Sequence, residues 1–212
     1  MGSTDPTYRG HVATTKDALV LFEACLQGRL HHVPRRPLES ERSALIQSGS
    51  VFIYEEGVSR IKRWKDGILW SPSRILGNFL VYRELEKPFP SGEKKKAIKR
   101  DKRLTKPGEP YPSPRSNLEG GGSSSQPYSP MSPTLPAPKS ETFDKETERS
   151  LIGSLVDSYE FREGGLVKKT MSIGVNGVHH HLASYYKVED VLGGRLKTPS
   201  TSNDLQLIKP RQ

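Results

Sequence analysis

Leu166-Val167-Lys168-Lys169-Thr170-Met171-Ser172-Ile173-Gly174-Val175, then Asn176-Gly177, then Val178-His179-His180-His181-Leu182-Ala183-Ser184-Tyr185-Tyr186-Lys187 is the stretch that decides the fold. Asn-Gly tolerates positive φ at both positions, the geometry of a two-residue hairpin whose twist matches the strands it joins. In the first arm Val167, Lys169, Met171, Ile173 and Val175 share one face, and Lys168, Thr170 and Ser172 share the other. This alternation predicts an antiparallel sheet with one buried face.

Val188 to Leu192, closed by Gly193-Gly194, extends the hairpin with one or two helical turns. Upstream, Ser50-Val51-Phe52-Ile53-Tyr54 reads as a buried strand, and Val58 to Lys62 is placed to pair with it across Glu55-Glu56-Gly57. Asp66-Gly67 is a turn signal, and Asn78 to Glu86 is a further strand. Thr14-Thr15 and Gly28 bracket a capped helix from Thr15 to Gln27, with Leu19, Phe22 and Leu26 on one face and Cys25 beside them in the core. A second helix runs from Leu38 to Gln47. The class is α+β.

Nine of the 17 prolines fall between Pro107 and Pro138, among serines and Gly120-Gly121-Gly122. Such composition buries too little apolar surface to offset the entropy of ordering. Residues 88–148 therefore read as a flexible linker, with folded stretches at about 8–87 and 149–200 and a tail at 201–212. A stretch of roughly 50 residues without metal or disulfide struggles to support its own core, so the two are expected to complete one structure.

Of 212 residues, 33 are Lys or Arg and 24 are Asp or Glu, a formal charge of +9, and only 33% are hydrophobic. An anionic partner follows from that balance. No run of about 18 apolar residues predicts a membrane span, and no apolar leader stands at the start, so a soluble intracellular protein without membrane contact is expected. The single Cys25 disfavours disulfides and zinc modules. His179-His180-His181 alternates across a strand and lacks carboxylate or Cys partners at ligand spacing, so neither metal nor cofactor is expected. Phosphate-binding loops, nucleophile elbows and zinc-protease motifs are missing, which argues against an enzyme.

Seven of the nine net charges lie in Lys94-Lys95-Lys96, Lys99-Arg100, Lys102-Arg103 and Lys106, set against Asp101. That run fits nuclear import or phosphate binding, and Lys102-Arg103-Leu104-Thr105 forms a kinase pattern in which Thr105 is the acceptor. A second cluster sets Arg60, Lys62, Arg63 and Lys65 around Trp64, beside the turn. Cations on a narrow loop suit the minor groove of A/T-rich DNA, where the negative potential is deepest. Trp70-Ser71-Pro72-Ser73-Arg74 adds groups that contact phosphates, with Trp70 itself a packing residue.

Taken together, several blocks resemble the first box of the WOPR family of fungal transcription regulators. They are Tyr8-x-Gly10-x-x-x-Thr14-Thr15-Lys16-Asp17-Ala18, Glu41-Arg42-Ser43, Ser48-Gly49-Ser50-Val51-Phe52, Ile61-Lys62-Arg63-Trp64-x-Asp66-Gly67, Trp70-Ser71-Pro72-Ser73-Arg74 and Phe79-Leu80-Val81-Tyr82-Arg83-Glu84. Gly165-Leu166-Val167-Lys168-Lys169-Thr170, His180-His181-Leu182-x-Ser184-Tyr185-Tyr186 and Asp190-Val191 resemble its second box. The first box then spans 1–87 and the second 149–200. The resemblance implies two boxes entwined into one double-stranded DNA-binding unit, acting in the nucleus on morphology, conjugation, sporulation or virulence programmes. It also implies an Arg-bearing loop in the minor groove of an A/T-rich site. By position that loop is Arg60 to Gly67, with Arg63 first, then Arg60 and Lys62. Lys65 stands where many members have Thr within a kinase site. Of Lys168 and Lys169, on opposite strand faces, at most one is expected to touch DNA. Without useful heptads a monomer is expected on DNA, with other transcription factors as possible partners. The competing reading is a non-specific nucleic-acid or RNA-binding module driven by the basic run; a more remote one is an interaction adaptor with a basic import tail.

Overall fold

The computed structural model describes residues 4–88, 145–156 and 158–211. In chain order it contains β1 (Tyr8–Arg9), α1 (Thr15–Leu26), α2 (Glu39–Leu45), β2 (Ser50–Glu55), α3 (Glu56–Ser59), β3 (Arg74–Leu76), β4 (Phe79–Arg83), α4 (Lys145–Ile152), β5 (Val167–Val175), β6 (Val178–Tyr186), α5 (Val188–Leu192) and a 3-10 turn at Pro199–Thr201. The hairpin forms as the sequence predicts. β5 and β6 pair from Val167 opposite Tyr186 to Val175 opposite Val178, with φ of 50° at Asn176 and 78° at Gly177.

The six strands form one antiparallel sheet in the order β1-β2-β6-β5-β4-β3. The hairpin from the C-terminal stretch is inserted between β2 and β4 of the N-terminal stretch, so neither stretch closes the sheet alone. The class is α+β, as the helix and strand signals predicted, and the two stretches complete one structure, as their size implied.

Both faces of the sheet are covered, where the strand pattern predicted one buried face. On the first, Val51, Ile53, Val81, Val167, Leu182 and Tyr186 pack against α1 through Ala18, Leu21, Phe22 and Cys25, joined by Ile152, Leu155, Leu205 and Ile208. On the second, Phe52, Tyr54, Ala183 and Tyr185 meet Val33, Ile46, Ile61 and Leu166. Segments without a period of their own, chiefly residues 60–72, cover this second face. Lys168 on β5 and His180 on β6 are buried against protein.

Four local expectations change. Val58 to Lys62 forms no strand: α3 ends at Arg60 in the left-handed region, and the partners of β2 are β1 and β6. In α1 the inner face runs through Ala18, Leu21, Phe22 and Cys25, while Leu19 and Leu26 are only half-buried. Its N-terminus is the expected one, with Thr14 Oγ1 accepting from the Asp17 amide and Asp17 accepting from the Thr14 amide in a capping box. Residues 201–211 pack as part of the domain, because Leu205 and Ile208 are buried and Arg211 donates twice to Glu23. The helix α4 also begins inside the expected linker. Among the described residues no helix is long and apolar enough to cross a membrane.

His11 is a costly group in the core. It is buried edge-on against Tyr186, and neither ring nitrogen has a hydrogen-bond partner among the described residues. Burial, helped by the Lys169 charge, lowers its pKa to about 4. As pH falls from the ordinary 6.5 to about 4, the unfolded chain takes up a proton that the folded one refuses. Stability is thus expected to drop across that interval by roughly 3 kcal/mol from His11. Denaturant unfolding at stepped pH checks this: His11→Phe should flatten the slope, leaving the smaller contribution of His32 and His180, whose pKa values burial also lowers.

Candidate nucleic-acid interface

Asp66 organises the site. It is 4% exposed, and each carboxylate oxygen accepts two donors. Oδ1 takes the Ile68 amide at 3.2 Å and Trp70 Nε1 at 2.8 Å. Oδ2 takes Lys168 Nζ at 3.0 Å and Tyr185 Oη at 2.7 Å. Tyr185 in turn accepts from Trp64 Nε1 at 2.6 Å. Four donors leave no place for a proton on Asp66. Burial alone would raise its pKa, but the Lys168 charge and the hydrogen bonds from Trp70 and Tyr185 outweigh burial and hold it below the usual range. Burial draws Lys168 down and Asp66 offsets this in part; the indole of Trp70 at 4.4 Å and the ring of Tyr82 at 5.0 Å give the ammonium further support.

This network clamps residues 64–70 onto the second face of the sheet. Trp64 lies on Phe52 and Tyr54, with ring centroids 5.1 and 5.3 Å apart. Ile61 is buried between α3 and that clamp. The residues between these fixed points face outward: Arg60, Lys62, Arg63 and Lys65 are exposed. Their side chains make no hydrogen bond or ion pair with any described residue. Several other cations of the domain are engaged, as in Arg35–Glu41, Arg162–Glu84 and Arg211–Glu23.

The remaining sequence candidates divide by burial. Trp64 packs and donates inward as described. Ser71 is buried, donating to the Pro72 carbonyl and accepting from the Arg83 amide. Ser73 is half-buried, and Arg74 donates to the Ser73 carbonyl and to Tyr159 Oη. Lys168 and Lys169 point to opposite faces, as alternation requires, yet both are buried because both faces are covered. Lys169 donates to the Val12 carbonyl at 3.3 Å beside Phe79 and Tyr186, and burial lowers its pKa to about 8. Neither lysine presents its charge to solvent. Lys94, Lys95, Lys96, Lys99, Arg100, Lys102, Arg103 and Thr105 lie outside the described residues.

His180 pairs with His32 at 3.2 Å, while His181 meets Ser172 and Glu56. Among the described residues no three His, Cys, Asp or Glu side chains stand together as a metal site. Two contributors escaped sequence reasoning. Arg36 Nε donates to the Arg63 carbonyl at 2.8 Å. Arg42 of α2 packs over Gly67, where an added Cβ would come within 2.5 Å of its Nη1. The Glu41-Arg42-Ser43 block was the available signal, without any indication of its neighbour in space.

Two separated stretches sharing one sheet, with unpaired cations presented from a loop clamped onto that sheet, define an α+β domain built for an anionic surface. The chain belongs to the Gti1/Pac2 family, whose profile matches residues 7–187, in agreement with the WOPR resemblance. It is 53% identical over 210 residues to the global transcription regulator sge1 of Verticillium dahliae, covering 98% of this chain and 41% of that protein. It is 35% identical over 252 residues to white-opaque regulator 1 of Candida albicans, covering 93% of this chain and 31% of that one. The structure is similar to the WOPR domain of Wor1 from Candida albicans in complex with a 13-base-pair double-stranded DNA, with a TM-score of 0.58, 30% identity and coverage of 100% of this chain and 93% of that chain. The chain spans 41% to 60% of the length of the sge1 relatives it matches. These relatives are transcription regulators, not enzymes.

Removing one partner of a buried ion pair leaves the other charged and unpaired. Asp66→Ala is therefore expected to destabilise the domain by about 3–5 kcal/mol in denaturant unfolding. The Asp66→Ala, Lys168→Met double variant should lose less. With Lys168→Met alone also measured, a double-variant loss equal to the sum of the two single losses would mean the pair is not coupled.

Proposed function

We propose that this chain is a sequence-specific double-stranded DNA-binding domain of a transcription regulator, reading an A/T-rich site with the 60–67 loop in the minor groove. The observation that carries the reading is the set of four exposed cations without acidic partners on a clamped loop. A narrow A/T minor groove concentrates negative potential and draws in arginine. Fixing the loop beforehand lowers the ordering cost of binding. The complex of the related Wor1 domain with double-stranded DNA supports the same partner here. Arg63 is the base-reading residue, with Arg60, Lys62 and Lys65 beside it. Ser73 and Arg74 are candidate phosphate contacts. Lys168, Lys169, Ser71 and Trp64 support the loop from inside.

The basic run at 94–106 adds affinity and import to the nucleus without choosing sequence, and the domain binds as a monomer. The regulated programmes are those of the family, such as morphology, sporulation or virulence.

In competition gel shifts, Arg63→Ala should lose about 1–3 kcal/mol of discrimination between an A/T-rich site selected from random duplexes and a scrambled one. Equal losses on both duplexes would make Arg63 a phosphate contact. Deleting Lys94 to Lys106 should weaken binding and flatten its salt dependence while preserving the preference. Abolished binding would instead favour the non-specific nucleic-acid module.

A further inference from the structure

Among the described residues, no main-chain hydrogen bond ties residues 61–67 to another segment. The loop is held by side chains. Ile61, Trp64 and Asp66 hold it from beneath, and the Ile61 and Ile68 amides are satisfied locally by Ser59 and Asp66. Between these points stand Lys62 and Arg63, and the peptide from Arg63 to Trp64 must be fixed if Arg63 is to enter a groove in one orientation. One side chain from another segment reaches it: Arg36, through Nε to the Arg63 carbonyl at 2.8 Å.

Arg36 is itself held in place. Glu41 accepts from both terminal nitrogens of Arg35, at 2.7 and 2.8 Å, and from the Leu38 amide at 2.8 Å. Arg35 Nη1 also donates to the Arg36 carbonyl at 3.1 Å. Pro37 is buried and its ring restricts the backbone on both sides. Residues 35–38 thus form a small ionic turn fastened to the start of α2. A turn further along that helix, Arg42 lies against Gly67 at the far end of the loop. The 35–42 segment flanks the loop while the Asp66 network holds it from below.

We propose that Arg36 is a positioning residue for DNA recognition, fixing the Arg63 peptide from outside so that the Arg63 side chain meets the groove in a single register. This rests on the DNA-binding reading above. The role belongs to the N–H donor of Arg36 rather than to its charge, because the bond made is to a neutral carbonyl. A reading group has to be held to within roughly half an ångström of its working geometry. A free peptide at the loop tip would leave the phosphate attraction of neighbouring cations intact while blurring base choice.

The full chain and its Arg36→Ala and Arg36→Gln variants test this in two measurements. The first is 15N backbone relaxation of the free protein. Arg36→Ala should lower the order parameters of residues 62–65 and leave those of 50–55 unchanged, and Arg36→Gln, which keeps a neutral donor, should restore much of the order. Unchanged order parameters in Arg36→Ala overturn the brace whatever the protein binds. The second is affinity for the selected A/T-rich duplex and a scrambled one across a salt series. Arg36→Ala should lose on the order of tenfold in preference, about 1.4 kcal/mol, with the slope of log affinity against log salt unchanged and Arg36→Gln recovering most of the loss. A slope smaller by about 1 with the preference intact would make Arg36 a phosphate contact and overturn the proposal. Preference retained in Arg36→Ala but lost in Arg63→Ala overturns the brace alone. Absence of any preference in the unaltered chain overturns the DNA reading and this inference with it, and the relaxation result still separates the two failures.

Discussion

The ionised carboxylate of Asp66 is the constraint on which the rest of the site depends. Its donors come from both halves of the chain: Trp70 and the Ile68 amide from the first, Lys168 and Tyr185 from the second. Taking two charges out of water costs several kcal/mol each, and their attraction offsets that only when the remaining hydrogen-bonding capacity is also used. Here each oxygen has two donors and the ammonium rests on two aromatic rings. Apolar packing of Trp64 and Ile61 would hold the loop near the sheet but would tolerate sliding. Directional bonds to one carboxylate fix where along the sheet it sits.

The cations of the domain fall into three groups, which the net charge of +9 conceals. Lys168 and Lys169 are inside, where they meet aromatic faces, a carboxylate or a carbonyl. Arg35, Arg162 and Arg211 are exposed but matched with carboxylates, and such surface pairs contribute little to stability. Arg60, Lys62, Arg63 and Lys65 are exposed and unmatched. An anionic surface approaching the last group displaces no internal partner, so the full attraction is available for binding.

Local signals in the sequence carried the local structure well. Asn176-Gly177 marked the hairpin, Thr14 and Asp17 marked the start of α1, and alternation placed Lys168 and Lys169 on opposite faces. What failed depended on contacts distant in sequence. Val58 to Lys62 looks like a strand partner for residues 50–54 because it is adjacent and partly apolar, whereas the true partner lies in the hairpin over a hundred residues later. Asp66-Gly67 reads as a turn because nothing nearby reveals Lys168, 102 positions away. Leu205 and Ile208 are too few to set a period, though they fill the core beneath α1. The entwining of the two stretches was legible through size, because the second was too small to make its own core, and through the family resemblance.

Arg60 shows how backbone and charge combine at this site. The chain leaves β2 through a single helical turn and must reverse at once to bury Ile61, which is 3% exposed. The reversal requires a left-handed residue, and Arg60 supplies it at φ 56°. A residue with a Cβ pays about 1–2 kcal/mol for that conformation, a cost glycine would avoid. The turn alone therefore does not account for arginine. Beside it stand three further cations with no internal partner, and each additional one deepens the attraction for a polyanion. The strain is tolerated because Ser59, bonded to the Glu55 carbonyl and to the Ile61 amide, fixes the residues on either side. A charge is thereby held at the entrance of the loop, where a glycine would have given the same fold and a weaker surface.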